Sequence, residues 1–201
     1  MIRMETIRIG ARGSDVELLQ LGLTRSGCIP GEIDGIFGIK TQSAVECFQR
    51  LQAITADGIV GNTTWNRLMP YLRGYTTVQV KRGDTFWSLA NRYSTTVRAI
   101  SAANPATDPN NLQIGTRLII PFGFNVVSGK IKFTYEYLQI CIDGLTARYP
   151  FLKSGSIGNS VMGKKLYSLS IGEGRVQVGY NASHHGNEWI TSGVLMKFLE
   201  E

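Results

Sequence analysis

Two side chains near the end of the sequence, His185 and Glu188, are of types that bind metal ions. They follow an apolar strand-like run and precede an apolar helix-like run. Imidazole and carboxylate are both zinc ligands, and two histidines plus one glutamate with an open fourth position mark catalytic zinc. One histidine and one glutamate are of the residue types that form half of such a set. The alternative is a surface histidine and glutamate that bind no metal.

The composition of the 201-residue chain is that of a folded protein with a moderate positive charge. Apolar residues make up 43% of it and the formal net charge is +6. This charge suits teichoic or peptidoglycan polymers, and without a dense Lys/Arg stripe we expect no nucleic-acid partner. No run approaches the roughly 20 apolar residues that span a bilayer. The first residues also lack the apolar core of a secretory signal.

The three cysteines are Cys28, Cys47 and Cys141. Their number is odd and no two have CxxC spacing. We expect buried or half-buried thiols.

An internal repeat occupies the first 72 residues. Asp34-Gly-Ile-Phe-Gly38 recurs as Asp57-Gly-Ile-Val-Gly61. Each Asp-Gly pair predicts a turn, and each copy precedes a helix-period pattern. Ser14-Asp-Val-Glu17 predicts a capping box that opens an earlier helix. The pattern therefore predicts three short helices with two glycine-rich connections.

The next segment predicts a strand, two helices and a second strand. Residues 77–80 alternate like a strand, and apolar residues at 86–93 then recur with helical period. Asp84 or Thr85 is placed to cap that helix, and a second short helix must stop before Pro105. Residues 117–120 form the second strand. We expect an antiparallel two-stranded sheet with two helices packed on it, and Trp87 in the core.

The C-terminal region begins with a helical period over 135–149 and then changes to strands. Strands are predicted at 155–161, 165–171 and 175–180, separated by glycine-rich turns. A helix with a buried face follows Glu188. Ligands at the C-terminal edge of a strand are typical of an open α/β sheet.

Residues 7–72 resemble the peptidoglycan-binding domain type 1 family. The matching segments are Gly13-Ser-Asp-Val-Glu-Leu-Leu-Gln20, Ile33-Asp-Gly-x-Phe-Gly38, Ala44-Val45-x-x-Phe48-Gln49 and Asp57-Gly-Ile-Val-Gly61-x-x-Thr64-Trp65. The resemblance implies a three-helix domain that binds the cell wall.

The following segment resembles a lysin motif (LysM) domain, through Val80-Lys-x-Gly-Asp-Thr-Phe-Trp-Ser-Leu-Ala90, Ala103-Asn-Pro105 and Leu112-x-Ile-Gly115-x-x-Leu118-x-Ile-Pro121. Such domains bind N-acetylglucosamine-containing glycans through the loop after the first strand and the loop before the second. The resemblance implies that the glycan-binding residues are Gly83, Asp84, Thr85, Phe86, Leu112, Gln113 and Ile114.

The last segment resembles the N-terminal part of a zinc carboxypeptidase-family (carboxypeptidase A-like) domain, nearest to the γ-D-glutamyl-L-diamino acid endopeptidases of spore-forming bacteria. It does so through Tyr135-x-Tyr-Leu, Ile157-Gly-x-Ser-x-x-Gly163-Lys, Leu169-x-Ile-Gly and Asn181-Ala-Ser-His-His-Gly-Asn-Glu-Trp-Ile-Thr191. The resemblance implies that His185 and Glu188 bind one zinc ion and that His184 is a neighbour. Asn187 stands where some members carry an arginine that contacts substrate.

The family's third ligand and its catalytic base have no counterpart in these 201 residues. The third ligand is a later histidine, and the sequence holds only His184 and His185. The catalytic base, a later glutamate, is therefore unknown here. We expect a front portion of a longer enzyme, inactive as it stands, with apolar sheet faces partly exposed.

Together these patterns predict a multidomain α+β protein. Its domains are a three-helix wall-binding domain over 1–72, a βααβ LysM domain over 75–121, and the truncated start of an α/β zinc-peptidase sheet over 125–201. The implied function is that of a peptidoglycan hydrolase, a zinc metallopeptidase that cleaves γ-D-glutamyl-diaminopimelate bonds of stem peptides. The alternative is a non-catalytic fragment that binds peptidoglycan.

The expected partners are the glycan strands and stem peptides of peptidoglycan, with no membrane span. The expected location is the cell wall or the spore. Without a recognisable secretory signal, the cytoplasm of a sporulating cell also stays open.

Overall fold

A computed structural model of the chain describes residues 4–183, 185 and 188–201. The described residues group into two compact units, one within residues 1–74, 125–141 and 181–201, the other of Tyr75–Phe124 and Ile142–Tyr180. The protein is multidomain α+β, as predicted. Its elements are α1 (Ser14–Arg25), α2 (Ile39–Leu51), α3 (Asn62–Arg73), β1 (Tyr75–Gln79), α4 (Phe86–Arg92), α5 (Val97–Ala103), β2 (Arg117–Pro121), α6 (Tyr135–Arg148), β3 (Lys153–Asn159), β4 (Lys165–Ser170) and α7 (Trp189–Glu200).

The helices α1, α2 and α3 are the three predicted from the repeat. Their apolar faces are buried together, with Leu19, Phe48 and Leu68 fully inaccessible to solvent. Burying each such side chain contributes about 1.5–3 kcal/mol. At Gly22 a Cβ atom would stand 2.7 Å from the Leu68 side chain, so this glycine permits the close approach of α1 and α3.

The start of α1 differs from the prediction. The N-cap is Gly13, at φ 113°, and no side chain caps the helix. The Gly13 carbonyl accepts the N–H groups of Val16 and Glu17, both at 3.1 Å, whereas the Glu17 carboxylate accepts the N–H of Lys132 at 2.7 Å. The predicted capping box is wrong, because a glycine free to take positive φ starts the helix one residue before Ser14.

The first Asp-Gly turn is tied to α1 by the side-chain amide of Gln20, which is 1% exposed. Its Oε1 accepts the N–H groups of Asp34 at 3.1 Å and Gly35 at 3.0 Å. Its Nε2 lies 2.9 Å from Asp34 Oδ1, 3.2 Å from the Ile36 carbonyl and 3.2 Å from Thr41 Oγ1. The Gln20 amide and the Ile36 N–H hold the pKa of Asp34 below its ordinary value.

The second turn repeats this arrangement with Gln49, also 1% exposed. Its Oε1 accepts the N–H of Gly58 at 3.0 Å, and its Nε2 donates to Asp57 Oδ1 and the Ile59 carbonyl, both at 2.9 Å. Thr64 Oγ1 lies 3.2 Å away. We call the two arrangements glutamine clasps. The repeat therefore includes a buried glutamine of the preceding helix, which sequence analysis missed.

The cysteine prediction is wrong for two of the three residues. Cys28 and Cys47 form a disulfide, with Cα atoms 6.0 Å apart, a separation that a disulfide spans. Cys141 is a free, buried thiol, and burial raises its pKa to about 12. A thiol of such high pKa stays protonated and is a poor nucleophile.

The predicted βααβ order is confirmed in residues 75–121. Strand β1 runs antiparallel to β2, from the Tyr75–Pro121 pair to the Gln79–Arg117 pair. Thr85 caps α4 by accepting the Ser88 N–H at 3.0 Å. The core between sheet and helices consists of Val80, Phe86, Leu89, Ala90, Ile100, Leu118 and Ile120, with Tyr93 packed against it.

Trp87 lies outside this core. Its side chain is 69% exposed, so its predicted burial is wrong. The helical period places Phe86, Leu89 and Ala90 toward the sheet, and the position directly after Phe86 points away from that face.

A side-chain amide also joins α5 to β2. Asn104 Nδ2 donates to the carbonyls of Ile100 and Ile119, both at 2.7 Å, and Oδ1 accepts the Ile119 N–H at 2.9 Å. The amide pairs with both backbone groups of Ile119, as a neighbouring strand would. It thereby satisfies backbone groups at the end of α5 and along β2.

The region after α6 is largely exposed. Strands β3 and β4 pair antiparallel, with an irregularity between Ser156 and Gly158, and β3 is exposed along its whole length. The predicted third strand is wrong, since residues 175–180 form no strand. An isolated hairpin is marginal and a further strand needs a partner to pair with. Exposed apolar side chains here include Ile157, Val161, Met162, Val176 and Val178.

The helices α6 and α7 lie where the sequence predicted them. The predicted buried face of α7 is wrong, because only Met196 of this helix is buried while Ile190, Val194 and Phe198 are at least 60% exposed. The carboxylate of Glu200 accepts the N–H groups of Val126 at 2.6 Å and Val127 at 2.8 Å. Among the described residues, no helix is both long and apolar enough to cross a membrane.

We expect Gln20→Ala and Gln49→Ala each to lower the free energy of unfolding by about 1–3 kcal/mol, because each leaves buried donors and acceptors without a partner. Urea denaturation of the full chain followed by circular dichroism measures the loss. Hydrogen exchange should be faster at the Asp34-Gly35 turn in the first variant and at the Asp57-Gly58 turn in the second. The control Gln52→Ala should change neither the free energy of unfolding nor hydrogen exchange at either turn. An equal loss of stability in all three variants would contradict the glutamine clasps.

The disulfide predicts a thiol count. The denatured, unreduced chain should react with one equivalent of Ellman's reagent, from Cys141, and with three after reduction. Reduction should lower the free energy of unfolding by about 3 kcal/mol, because it releases a loop of roughly 20 residues in the unfolded state. In the double variant Cys28→Ala/Cys47→Ala, reduction should change nothing further. Three reactive thiols before reduction would refute the bond.

Candidate functional site

The side chains of His185 and Glu188 meet just before α7. Nδ1 of His185 lies 2.7 Å from Oε1 of Glu188, and the backbone N–H of Glu188 donates to the His185 carbonyl at 3.1 Å. The two side chains are 76% and 38% exposed. A nitrogen and a carboxylate oxygen therefore converge, within hydrogen-bonding distance, at a surface open to solvent.

Hydroxyl groups beside the first turn of α7 hold Ser183 and the backbone of Glu188 in place. Ser183 takes φ 57°, and its N–H donates to Thr191 Oγ1 at 2.9 Å. The Glu188 carbonyl accepts from Ser183 Oγ at 2.9 Å and from Thr191 Oγ1 at 2.7 Å. Ser192 Oγ lies 2.6 Å from Ser183 Oγ. These contacts fix the backbone on which Glu188 is presented, and sequence analysis missed Ser183 and Ser192.

The donor set fits half of a zinc site. Nitrogen and oxygen ligands of tetrahedral zinc lie about 3.3 Å apart, so the His185–Glu188 pair has to open by roughly 0.6 Å to bind the ion. Exposed side chains make that movement through small torsional changes. Within the described residues no group of three or more His, Cys, Asp or Glu could hold a metal. His184 and Asn187 lie outside the described residues.

The two predicted glycan loops leave the same end of the β1–β2 sheet. Beyond the last strand pair, the N–H of Val80 donates to the Thr116 carbonyl at 2.9 Å, and the N–H of Gly115 donates to the Val80 carbonyl at 2.8 Å. Residues 83–86 and 112–114 extend from this junction. The residues that face solvent are Gly83, Thr85, Gln113 and Ile114, the last 70% exposed.

The other three predicted glycan-binding residues have structural contacts. The Asp84 carboxylate accepts the Lys81 N–H at 2.8 Å and pairs with the Arg92 guanidinium at 3.0 Å. The Lys81 N–H and, after it, Arg92 hold the pKa of Asp84 below its ordinary value. Phe86 is buried in the core and Leu112 packs against it.

Three family models match the chain in series. Residues 12–68 match a peptidoglycan binding domain, residues 78–121 match the LysM domain, and residues 138–201 match the zinc carboxypeptidase family. The three matches follow the order in which the motifs occur.

Two similar proteins each match about two fifths of this chain. Gamma-D-glutamyl-L-diamino acid endopeptidase 1 of Lysinibacillus sphaericus is 37% identical over 39% of this chain and 20% of its own length. A spore cortex-lytic enzyme of Oceanobacillus iheyensis is 38% identical over 41% of this chain and 31% of its own length. This chain thus matches less than a third of either protein.

Among solved structures, the SleB N-terminal domain is 35% identical and covers 34% of this chain and 93% of its own, with a TM-score of 0.33. Segment by segment, the chain thus resembles a peptidoglycan binding domain, the LysM domain and the N-terminal part of a zinc carboxypeptidase.

Proposed function

We propose that this chain belongs to a peptidoglycan hydrolase, a zinc peptidase that cleaves γ-D-glutamyl-diaminopimelate bonds of stem peptides. In this proposal residues 1–72 and 75–121 are two wall-binding domains, and residues 125–201 are the N-terminal part of the catalytic domain. The observation that supports it best is the 2.7 Å convergence of His185 and Glu188, within the segment that matches the zinc carboxypeptidases.

His185 and Glu188 are proposed to hold one zinc ion. When bound, zinc polarises a scissile carbonyl and lowers the pKa of its water. The exposure of His185 leaves room for a substrate carbonyl to approach, and the hydroxyls of Ser183 and Thr191 fix the Glu188 backbone. The residue that accepts a proton from water is not among the site residues described above.

The two wall-binding domains are proposed to act together on one polymer. A single small domain binds weakly, but binding of the first raises the effective concentration of the second. The catalytic segment would then stay near stem peptides attached to the same strands. The cell wall or the spore is the corresponding location.

A second candidate function is adhesion without catalysis. The observation that favours it is the two-ligand metal set, because catalytic zinc is ordinarily held by three protein ligands. Both candidates share the glycan-binding surfaces and differ only in what the His185 segment does.

We expect the 201-residue chain to bind zinc weakly through its ligand pair. His185→Ala and Glu188→Gln should each lower zinc affinity at least about tenfold. Substituting a residue that only hydrogen-bonds to a metal ligand already causes such a loss, so removing the ligand itself should cost no less. His184→Ala is the matched control and should change nothing. Competition with a chromophoric chelator measures the affinity without any need for activity.

Equal losses of zinc affinity in His184→Ala and His185→Ala would refute this ligand assignment.

In the matching activity assay, zinc and muropeptides are incubated with the 201-residue chain and with the product of any continuing reading frame. We expect no cleavage by the former and cleavage at the γ-D-glutamyl bond by the latter. Cleavage by neither, with retained wall binding, would favour adhesion alone.

We also expect Ile114→Ser to lower affinity for N-acetylglucosamine tetramer about fivefold, because burying this exposed side chain against a sugar contributes on the order of 1 kcal/mol. Val97→Ser, on α5 of the same domain, is the control and should bind normally. Isothermal titration of the full chain compares them. Unchanged affinity in the Ile114 variant would remove the loop from the binding surface.

A further inference from the structure

A basic groove lies on the LysM domain beside β1. It has a volume of about 580 Å³ and is lined by Thr77, Val78, Gln79, Lys81, Arg92, Tyr93 and Arg117. None of the seven residues predicted to bind glycan lines it. The groove therefore adds a surface to the domain that no motif of the sequence indicated.

The fold places two cations of the groove, Lys81 and Arg117, at one end of the β1–β2 sheet. Gln79, the last residue of β1, pairs with Arg117, the first residue of β2, and Lys81 follows two residues after Gln79. The predicted glycan loops begin at this same end, since Gly83 comes two residues after Lys81 and Gly115 two residues before Arg117. The basic groove and the glycan loops are thus neighbours.

The charges in the groove do not cancel. Asp84 pairs with Arg92 at 3.0 Å, and its side chain is only 5% exposed. Lys81 and Arg117 are both exposed. Three cations and one carboxylate leave a net positive charge, and such a concave surface attracts anions. Its volume lies in the range of small-molecule sites, about 300–1,000 Å³, and so exceeds what a single ion needs.

We infer that the basic groove binds carboxylates of the stem peptide that is attached to the glycan held by the neighbouring loops. This inference rests on the proposed binding of peptidoglycan. A guanidinium such as that of Arg117 presents a planar fork that matches a carboxylate, and Lys81 adds a second charge. A glycopeptide can occupy loops and groove at once, so each contact raises the effective concentration of the other.

The test compares ligands with and without carboxylates on the full chain. The ligands are N-acetylglucosamine tetramer, a disaccharide–stem peptide with free carboxylates, and the same peptide with its carboxylates amidated. Lys81→Gln and Arg117→Gln should each lower affinity for the free-carboxylate ligand roughly fivefold, in the range of exposed ion pairs. Affinity for the other two ligands should stay unchanged. Arg98→Gln, exposed on α5 and outside the groove, is the matched control.

Three results would overturn the inference. One is an equal loss of affinity for the uncharged tetramer in the two variants, which would assign Lys81 and Arg117 to the glycan site. Another is unchanged binding of the free-carboxylate ligand by both variants. The third is a poly(glycerol phosphate) that binds more tightly than the stem peptide and depends on the same two residues.

The result with the tetramer separates this inference from the proposed function. If the chain binds the tetramer and neither variant weakens stem-peptide binding, the inference fails and the proposed wall binding stands. If the chain binds neither ligand, both fail.

Discussion

Both binding domains depend on side-chain amide groups whose hydrogen bonds have to be satisfied. Gln20, Gln49 and Asn104 each present a carbonyl oxygen to backbone N–H groups and an amino group to backbone carbonyls. A buried amide without these partners costs about 1–3 kcal/mol. The Gln20 and Gln49 amides therefore hold their Asp-Gly turns in one conformation, and the partly buried Asn104 amide holds the end of α5 against β2.

This constraint connects the fold to the proposed binding surfaces. In the LysM domain, Asn104 fixes the path of β2 at Ile119, and the pairing of Val80 with Gly115 and Thr116 extends that order to the glycan loops. The Asp84 carboxylate contributes to this order, since it accepts the Lys81 N–H and pairs with Arg92. In the proposed binding mode, the exposed Ile114 and the cations of the basic groove are the groups that contact the ligand.

The sequence predicted the features that follow from local periodicity. It did not predict features that depend on contacts between residues far apart in the sequence. Helical patterns and the βααβ order depend on local alternation, and they are confirmed. The disulfide between Cys28 and Cys47 depends on how helices α1 and α2 approach each other, and no local spacing reveals it. The capping box failed because Gly13 offered a competing helix start. The strand at 175–180 failed because a strand needs a partner outside its own sequence.

The His185–Glu188 pair shows the same division between local and distant determinants. Two proposed ligands three residues apart can be positioned by one turn and a few hydroxyl groups, so a short segment is enough to bring them within 2.7 Å. A third ligand and a proton acceptor have to be supplied by other parts of a fold, and the exposed β3–β4 hairpin provides neither. The proposed wall binding, in contrast, depends on domains whose cores are buried within residues 4–121. The proposed adhesion therefore rests on locally formed cores, whereas the proposed catalysis requires contacts that the His185 segment alone does not supply.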